Sequence, residues 1–231
     1  MIIFGKNNAM SNHNRLLKPI LAALMLLGCG ALHAQVPFYA AAPGDGVLFG
    51  YHSLKFRPAN GYNESFTTFQ YGIGKTAVGL ELYTCPTGVY SGYTFRAGFY
   101  KSNYFNIGFQ TSPTFSMSDH HKFSYITSGL YVHGAFEPTG RFYWLSNTLW
   151  TVHADKMADI EHWLYLGAKF PLSNGSLIHP MVGTIHSWRF DSNPDLALGC
   201  SWAVGHYEFF LWSSNYFRDA VRVVFGIAFV Y

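Results

Sequence analysis

From residue 46 to the C-terminus, apolar and polar residues trade places at nearly every step, in short runs separated by turn-formers. Alternate side chains of a strand point to opposite faces, so this period-two pattern predicts β-strands and no amphipathic helix of useful length. Twelve segments carry it: 46–56, 64–71, 76–84, 93–100, 104–111, 122–134, 142–153, 160–170, 176–190, 195–204, 207–216 and a last one from about 220. Between them stand turns such as Pro58-Ala59-Asn60-Gly61, Pro86-Thr87-Gly88, Pro138-Thr139-Gly140, Ser173-Asn174-Gly175 and Gly205-His206. A polar stretch at 112–121 and another at 154–159 read as longer connections.

Several of these strands have two clearly different faces. In the third, Val78, Leu80 and Leu82 oppose Ala77, Gly79 and Glu81; in the fourth, Phe95, Ala97 and Phe99 oppose Arg96, Gly98 and Tyr100. In the fifth, Phe105, Ile107 and Phe109 oppose Asn106, Gly108 and Gln110; in the eighth, Leu164, Leu166 and Phe170 oppose Glu161, Tyr165 and Lys169. In the tenth, Leu196, Leu198 and Trp202 oppose Asp195, Gly199 and Ser201. The sixth, seventh, ninth and eleventh sort poorly; in the seventh, Phe142, Trp144 and Trp150 oppose Leu145, Leu149 and His153, apolar against apolar.

The final strand sets Val223, Phe225, Ile227, Phe229 and Tyr231 against Val224, Gly226, Ala228 and Val230 and ends the chain on an aromatic residue. It resembles the C-terminal strand of Gram-negative outer-membrane β-barrels. The resemblance implies that Val223, Phe225, Ile227, Phe229 and Tyr231 form the signature read by the barrel-assembly machinery, and that the barrel sits in outer-membrane lipid. The fold expected is all-β, a closed antiparallel transmembrane barrel of about twelve strands, with ten as the alternative. Each membrane strand needs roughly 9–11 residues, which these segments supply. An even count puts both termini on the periplasmic side, with 112–121 and 154–159 facing outward and the tight turns at 72–75 and 205–206 facing inward.

Composition fits that expectation. Charged residues make up 12% of the chain and aromatics 19%, against a globular norm of about 25% charged. Lys6, Arg15 and Lys18 precede a short apolar run at 20–27, and no acidic residue occurs before Asp45. That is the layout of a secretory signal peptide over residues 1–34, leaving 35–231 as a single barrel domain. Leu26-Leu27-Gly28-Cys29 also resembles a bacterial lipobox, in which Cys29 would carry lipid; the other reading makes Cys29 part of the apolar signal core. The chain has 15 basic and 12 acidic residues; loss of the three early cations balances them, and no basic patch points to nucleic acid. Cys85 and Cys200 would remain, on distant strands and unpaired.

A charge facing lipid at mid-membrane costs about 2–4 kcal/mol for Arg or Lys, so the charged positions belong inside. The lumen-lining candidates are Glu81, Arg96, Asn106, Gln110, Glu161, Lys169, Asp195 and Arg222. They suit either a closed, salt-bridged interior or a pore with rings of charge. The glycines among them, including Gly167, Gly199 and Gly226, either leave space or relieve crowding. Tyr93, Tyr100, Tyr104, Trp144, Trp163, Trp188, Tyr207, Tyr216 and Tyr231 suit the membrane boundary.

Chemistry is sparsely indicated. His186 and Ser187 are adjacent on a strand and so point to opposite faces, which disqualifies them as a nucleophilic pair. His120-His121 beside Asp119, and His153 to His162 with their carboxylates, match no specific metal site. No catalytic residue, metal or cofactor is expected. The function expected is porin-like passage of small solutes, or a structural or surface role. A lipid-modifying hydrolase and a soluble periplasmic barrel binding an apolar ligand stand as alternatives.

Overall fold

The computed structural model describes residues 43–102, 104–155, 159–188, 194–217 and 221–231. The signal segment 1–34, Cys29 and the turn at Arg218-Asp219 lie outside the described residues. The elements are β1 (Leu48–Arg57), β2 (Tyr62–Ile73), β3 (Thr76–Cys85), β4 (Gly88–Lys101), β5 (Phe105–Ser116), β6 (Lys122–Ala135), β7 (Phe142–His153), β8 (Asp159–Ala168), β9 (Leu177–Ser187), β10 (Asp195–Val204), β11 (Tyr207–Ser214) and β12 (Arg222–Val230). A two-residue segment, Phe170–Pro171, continues β8 beside β9. Each strand pairs antiparallel with the next, and β12 returns to β1 from Phe49↔Val230 to Phe56↔Val223. Leu48 and Tyr231 finish that seam by exchanging backbone hydrogen bonds of 2.7 and 2.8 Å. The sheet is a closed barrel of twelve strands, not ten. Closure leaves no unpaired edge.

The start of β1 and the end of β12 lie at one end of the barrel, called here the terminal end, with the connections β2–β3, β4–β5, β6–β7, β8–β9 and β10–β11. The other six connections lie at the far end. Turn chemistry explains several of these. Pro58–Asn60 makes one 3-10 turn closed by Gly61 at φ 65°, a left-handed conformation that glycine adopts without strain.

The outward face is apolar. Leu80 is 59% exposed and Phe99 63%, and Phe69, Val78, Leu166, Val182, Leu211 and Phe225 share that face in the open. Water would penalise such a band; hydrocarbon solvates it. Tyr104, Tyr207 and Tyr231 are exposed at the terminal end, and Trp188 and Tyr216 at the far end. Trp163 does not join them: it faces inward, packed against the buried core. Tyr93 lies mid-strand, opposite Leu80, because β4 starts at Gly88, earlier than the sequence suggests.

Two further expectations are corrected. Residues 112–116 belong to β5, so the β5–β6 connection shrinks to 117–121. The hydroxyls that made this stretch look like a loop are wall residues: Ser112 is 2% exposed and Thr114 4%. Tyr100 does not share the inward face of Arg96, because the ladder slips between Gly98 and Tyr100 and turns both Phe99 and Tyr100 outward. A bulge of this kind inserts one residue and reverses the alternation beyond it.

Candidate functional site

The inward side chains form two unlike walls. Across β2 to β5 they are polar, and their groups bond one another. Glu81 accepts from the Thr94 hydroxyl, from Ser112 at 3.1 Å and from the Gln110 amide at 3.3 Å, all on one oxygen, Oε1. Thr94 and Ser112 lie 3.0 Å apart. Arg96 donates from Nε to Gln110 Oε1 at 3.1 Å, and its guanidinium lies 5.0 Å from the Tyr131 ring centre. Gln70 reaches Thr68 through Nε2 at 3.5 Å, while its own Oε1 is buried without a hydrogen-bond partner.

Across β7 to β12 the interior is packed. Tyr143, Leu145, Tyr165, Met181, Ile185, Ala197, Phe210 and Trp212 form one buried cluster. Phe210 and Trp212 stack with centroids 4.6 Å apart. Three of these rings lie over glycines directly across the ladder: Tyr143 over Gly167, Trp212 over Gly199 and Phe210 over Gly226. A Cβ at those glycines would stand 2.3–2.4 Å from ring atoms. Here the glycines seat rings and leave no open space.

Packing is tightest towards the terminal end. Tyr143 and Glu208 are fully buried, with His179 and Ser201 beside them. Ser201 donates to Glu208, and His179 Nδ1 stands 3.7 Å from the same carboxylate. Towards the far end the walls part. A cavity of about 910 Å³ opens there, lined by Phe49, Tyr51 and Gln70 in its depth and by Thr87 and Asp155 at its exposed rim. Tyr83, Tyr90, Tyr125 and His153 follow one another around the mouth with ring centres 5.6–6.0 Å apart.

Of the eight polar positions singled out in the sequence, Glu81, Arg96, Gln110, Glu161 and Arg222 line this cavity. Asn106, Lys169 and Asp195 are not among its lining residues. Asn106 lies near the terminal end, opposite His133. Lys169 reaches over the Tyr143 ring at 5.5 Å. Asp195 is buried and accepts from the Phe217 amide at 3.3 Å. Sequence reading missed Lys55, Glu64, Gln70, Thr94 and Ser112; Lys55, Glu64 and Gln70 lay on strands without two sorted faces, Ser112 lay outside any assigned strand, and Thr94 had the parity of Arg96 but is an uncharged hydroxyl. Lys55 pairs with Glu64, and Arg222 lies 3.6 Å from Glu161.

The histidine-rich segment around the β7–β8 connection is divided by the alternation. His153 faces in and lies 3.2 Å from Asp159. His162 faces out and bonds Thr148 at 2.9 Å. Likewise Ser187 is buried inside, whereas His186 stacks on exposed Trp188 at 4.0 Å. Cys85 and Cys200 are both free thiols.

No protein-family model matches the sequence, and neither does any curated protein. Among solved structures the chain is similar to the KdgM porin, with a TM-score of 0.56 and 7% identity over 78% of this chain and 98% of that one. A second structure, of KdgM porin in complex with disordered oligogalacturonate, gives 0.53 and 8% over 79% and 98%. The fold is that of an outer-membrane β-barrel. The translocator domain of the autotransporter NalP from Neisseria meningitidis also matches, at 0.47 and 10% identity over 95% of each chain.

Proposed function

We propose that this chain is an integral outer-membrane barrel that admits small solutes, porin-like, into an internal chamber whose mouth faces the cell exterior. One observation carries the reading: a chamber of about 910 Å³, with charged, amide and hydroxyl side chains along one wall, lies inside a barrel whose outer surface is apolar. A soluble barrel binding an apolar ligand would need a polar outer surface. The orientation rests on parity, since even-stranded barrels of this kind keep both termini in the periplasm. Export by residues 1–34 and delivery through the terminal strand Val223, Phe225, Ile227, Phe229 and Tyr231 complete the proposal.

The packed floor at the terminal end is the constriction that a crossing solute meets. Reconstitution into planar bilayers should therefore give small, discrete conductance steps. A silent bilayer containing folded barrel would overturn the passage reading. Fractionation with heat-modifiable gel migration tests location separately: the protein should partition with outer membranes and run faster unheated, and recovery from the soluble periplasm would refute the membrane assignment.

A further inference from the structure

Among the described residues, five carboxylates line the chamber, Glu64, Glu81, Asp155, Asp159 and Glu161, against three permanent cations, Lys55, Arg96 and Arg222. Two of those cations are spent on carboxylates of the mouth, in the pairs Lys55–Glu64 and Arg222–Glu161. The third, Arg96, turns its Nε to the neutral Gln110 and its face to Tyr131; its charge reaches Glu81 through space. Deeper in, Glu81 is held by three neutral donors, and all three bonds fall on Oε1. Its second oxygen belongs to a chamber-lining side chain and takes none of those bonds. The neighbouring strand adds a second acceptor. Gln70 is 2% exposed, lines the same chamber, and its Oε1 has no hydrogen-bond partner. Gln70 stands opposite Gly79 and Thr68 opposite Glu81, so the two acceptors sit on adjacent rungs of one wall.

A buried acceptor left unpaired is costly, and one fixed in a cavity beside a carboxylate is matched by a group carrying several N–H donors and a positive charge. We propose that this wall binds the primary ammonium group of a small organic cation, with Glu81 as counter-charge and Gln70 Oε1 as the second acceptor. The chamber thereby favours ammonium-bearing solutes over anions of the same size. Tyr83, Tyr90 and Tyr125 also line the chamber, and tyrosine rings attract cations. This inference rests on the chamber being open to solutes, and it does not require that they cross.

The test uses the folded full-length barrel in detergent, with putrescine as the probe, succinate as its anionic counterpart of matched length, and tryptophan fluorescence as the readout. Trp163 and Trp212 both line the chamber. Putrescine should perturb the fluorescence saturably and succinate should not. Glu81→Gln should weaken putrescine binding about tenfold, the scale of one lost hydrogen bond to a charged group. Gel mobility reports whether the variant has folded. Gln70→Glu supplies a change of opposite sign, tightening putrescine binding. Equal or tighter binding of succinate, no saturable response to putrescine, or a folded Glu81→Gln barrel with unchanged affinity would each overturn the proposal. Because binding is read in detergent, a silent bilayer would sink the passage reading and leave this one standing.

Discussion

The wall formed by β2 to β5 and the wall formed by β7 to β12 share one fold, one alternation and one apolar exterior, yet the first is knit by polar groups and the second is filled mainly by packed rings. Hydroxyls, amides and charges bond across the first. Rings close the second. Lipid imposes a single rule on the outside of every strand, whereas the inside is free to be wet or packed. The outer face therefore reports the solvent, and the contrast between walls reports what the barrel holds.

The sharpest way to break that contrast is to empty the packed wall. Phe210→Ala removes a buried ring stacked on Trp212 and should cost about 3–5 kcal/mol in denaturant unfolding. In a bilayer it should raise conductance, because the ring belongs to the packing that closes the terminal end. The outside should show no such contrast. Leu80→Arg, behind the polar wall, and Leu166→Arg, behind the packed wall, should each cost about 2–4 kcal/mol in lipid-based refolding. A clear difference between them would mean that the exterior is not uniform.

A smaller effect separates glycines of the two walls. A Cβ at Gly226 would meet the Phe210 ring at 2.3 Å, whereas one at Gly92 finds its nearest neighbour at 3.2 Å. Gly226→Ala should lower stability by about 1–3 kcal/mol, an overpacking cost, and Gly92→Ala by distinctly less in the same titration.

The smallest effect lies at the seam between the walls, the β6–β7 connection. There Glu137 accepts from the Thr139 hydroxyl and from the Phe142 amide at 2.9 Å, which holds its carboxyl below the usual range. A lowered value means that the turn is supported above the ordinary carboxylate range and loses this support as pH falls through the folded value. Amide exchange at Thr139 and Phe142 should rise on that acid side, and Glu137→Gln should flatten the dependence.

The strands themselves were legible because the lipid-facing rule repeats at every second residue. All twelve segments correspond to observed strands, with ends displaced where polar wall residues resemble a loop, as at Ser112 and Thr114. The packed wall was not legible as such. In β7 both faces carry large apolar groups, one for lipid and one for the core, so alternation vanishes. That loss of pattern was itself the trace of a filled interior. The Glu81 network escaped notice for a different reason: its partners Thr94, Gln110 and Ser112 come from two further strands, and only the register of β3, β4 and β5 shows that they converge.

The rings seated over Gly167, Gly199 and Gly226 also act on the assembly of the barrel. A pair of strands sliding by two residues keeps every side chain on its proper face, so lipid cannot detect the error. The rings can. Slipped by two, Tyr143 would meet Tyr165 or Lys169 in place of Gly167, and Phe210 would meet Val224 or Ala228 in place of Gly226. Each ring is seated at one glycine, so the three together mark the observed shear over half of the barrel.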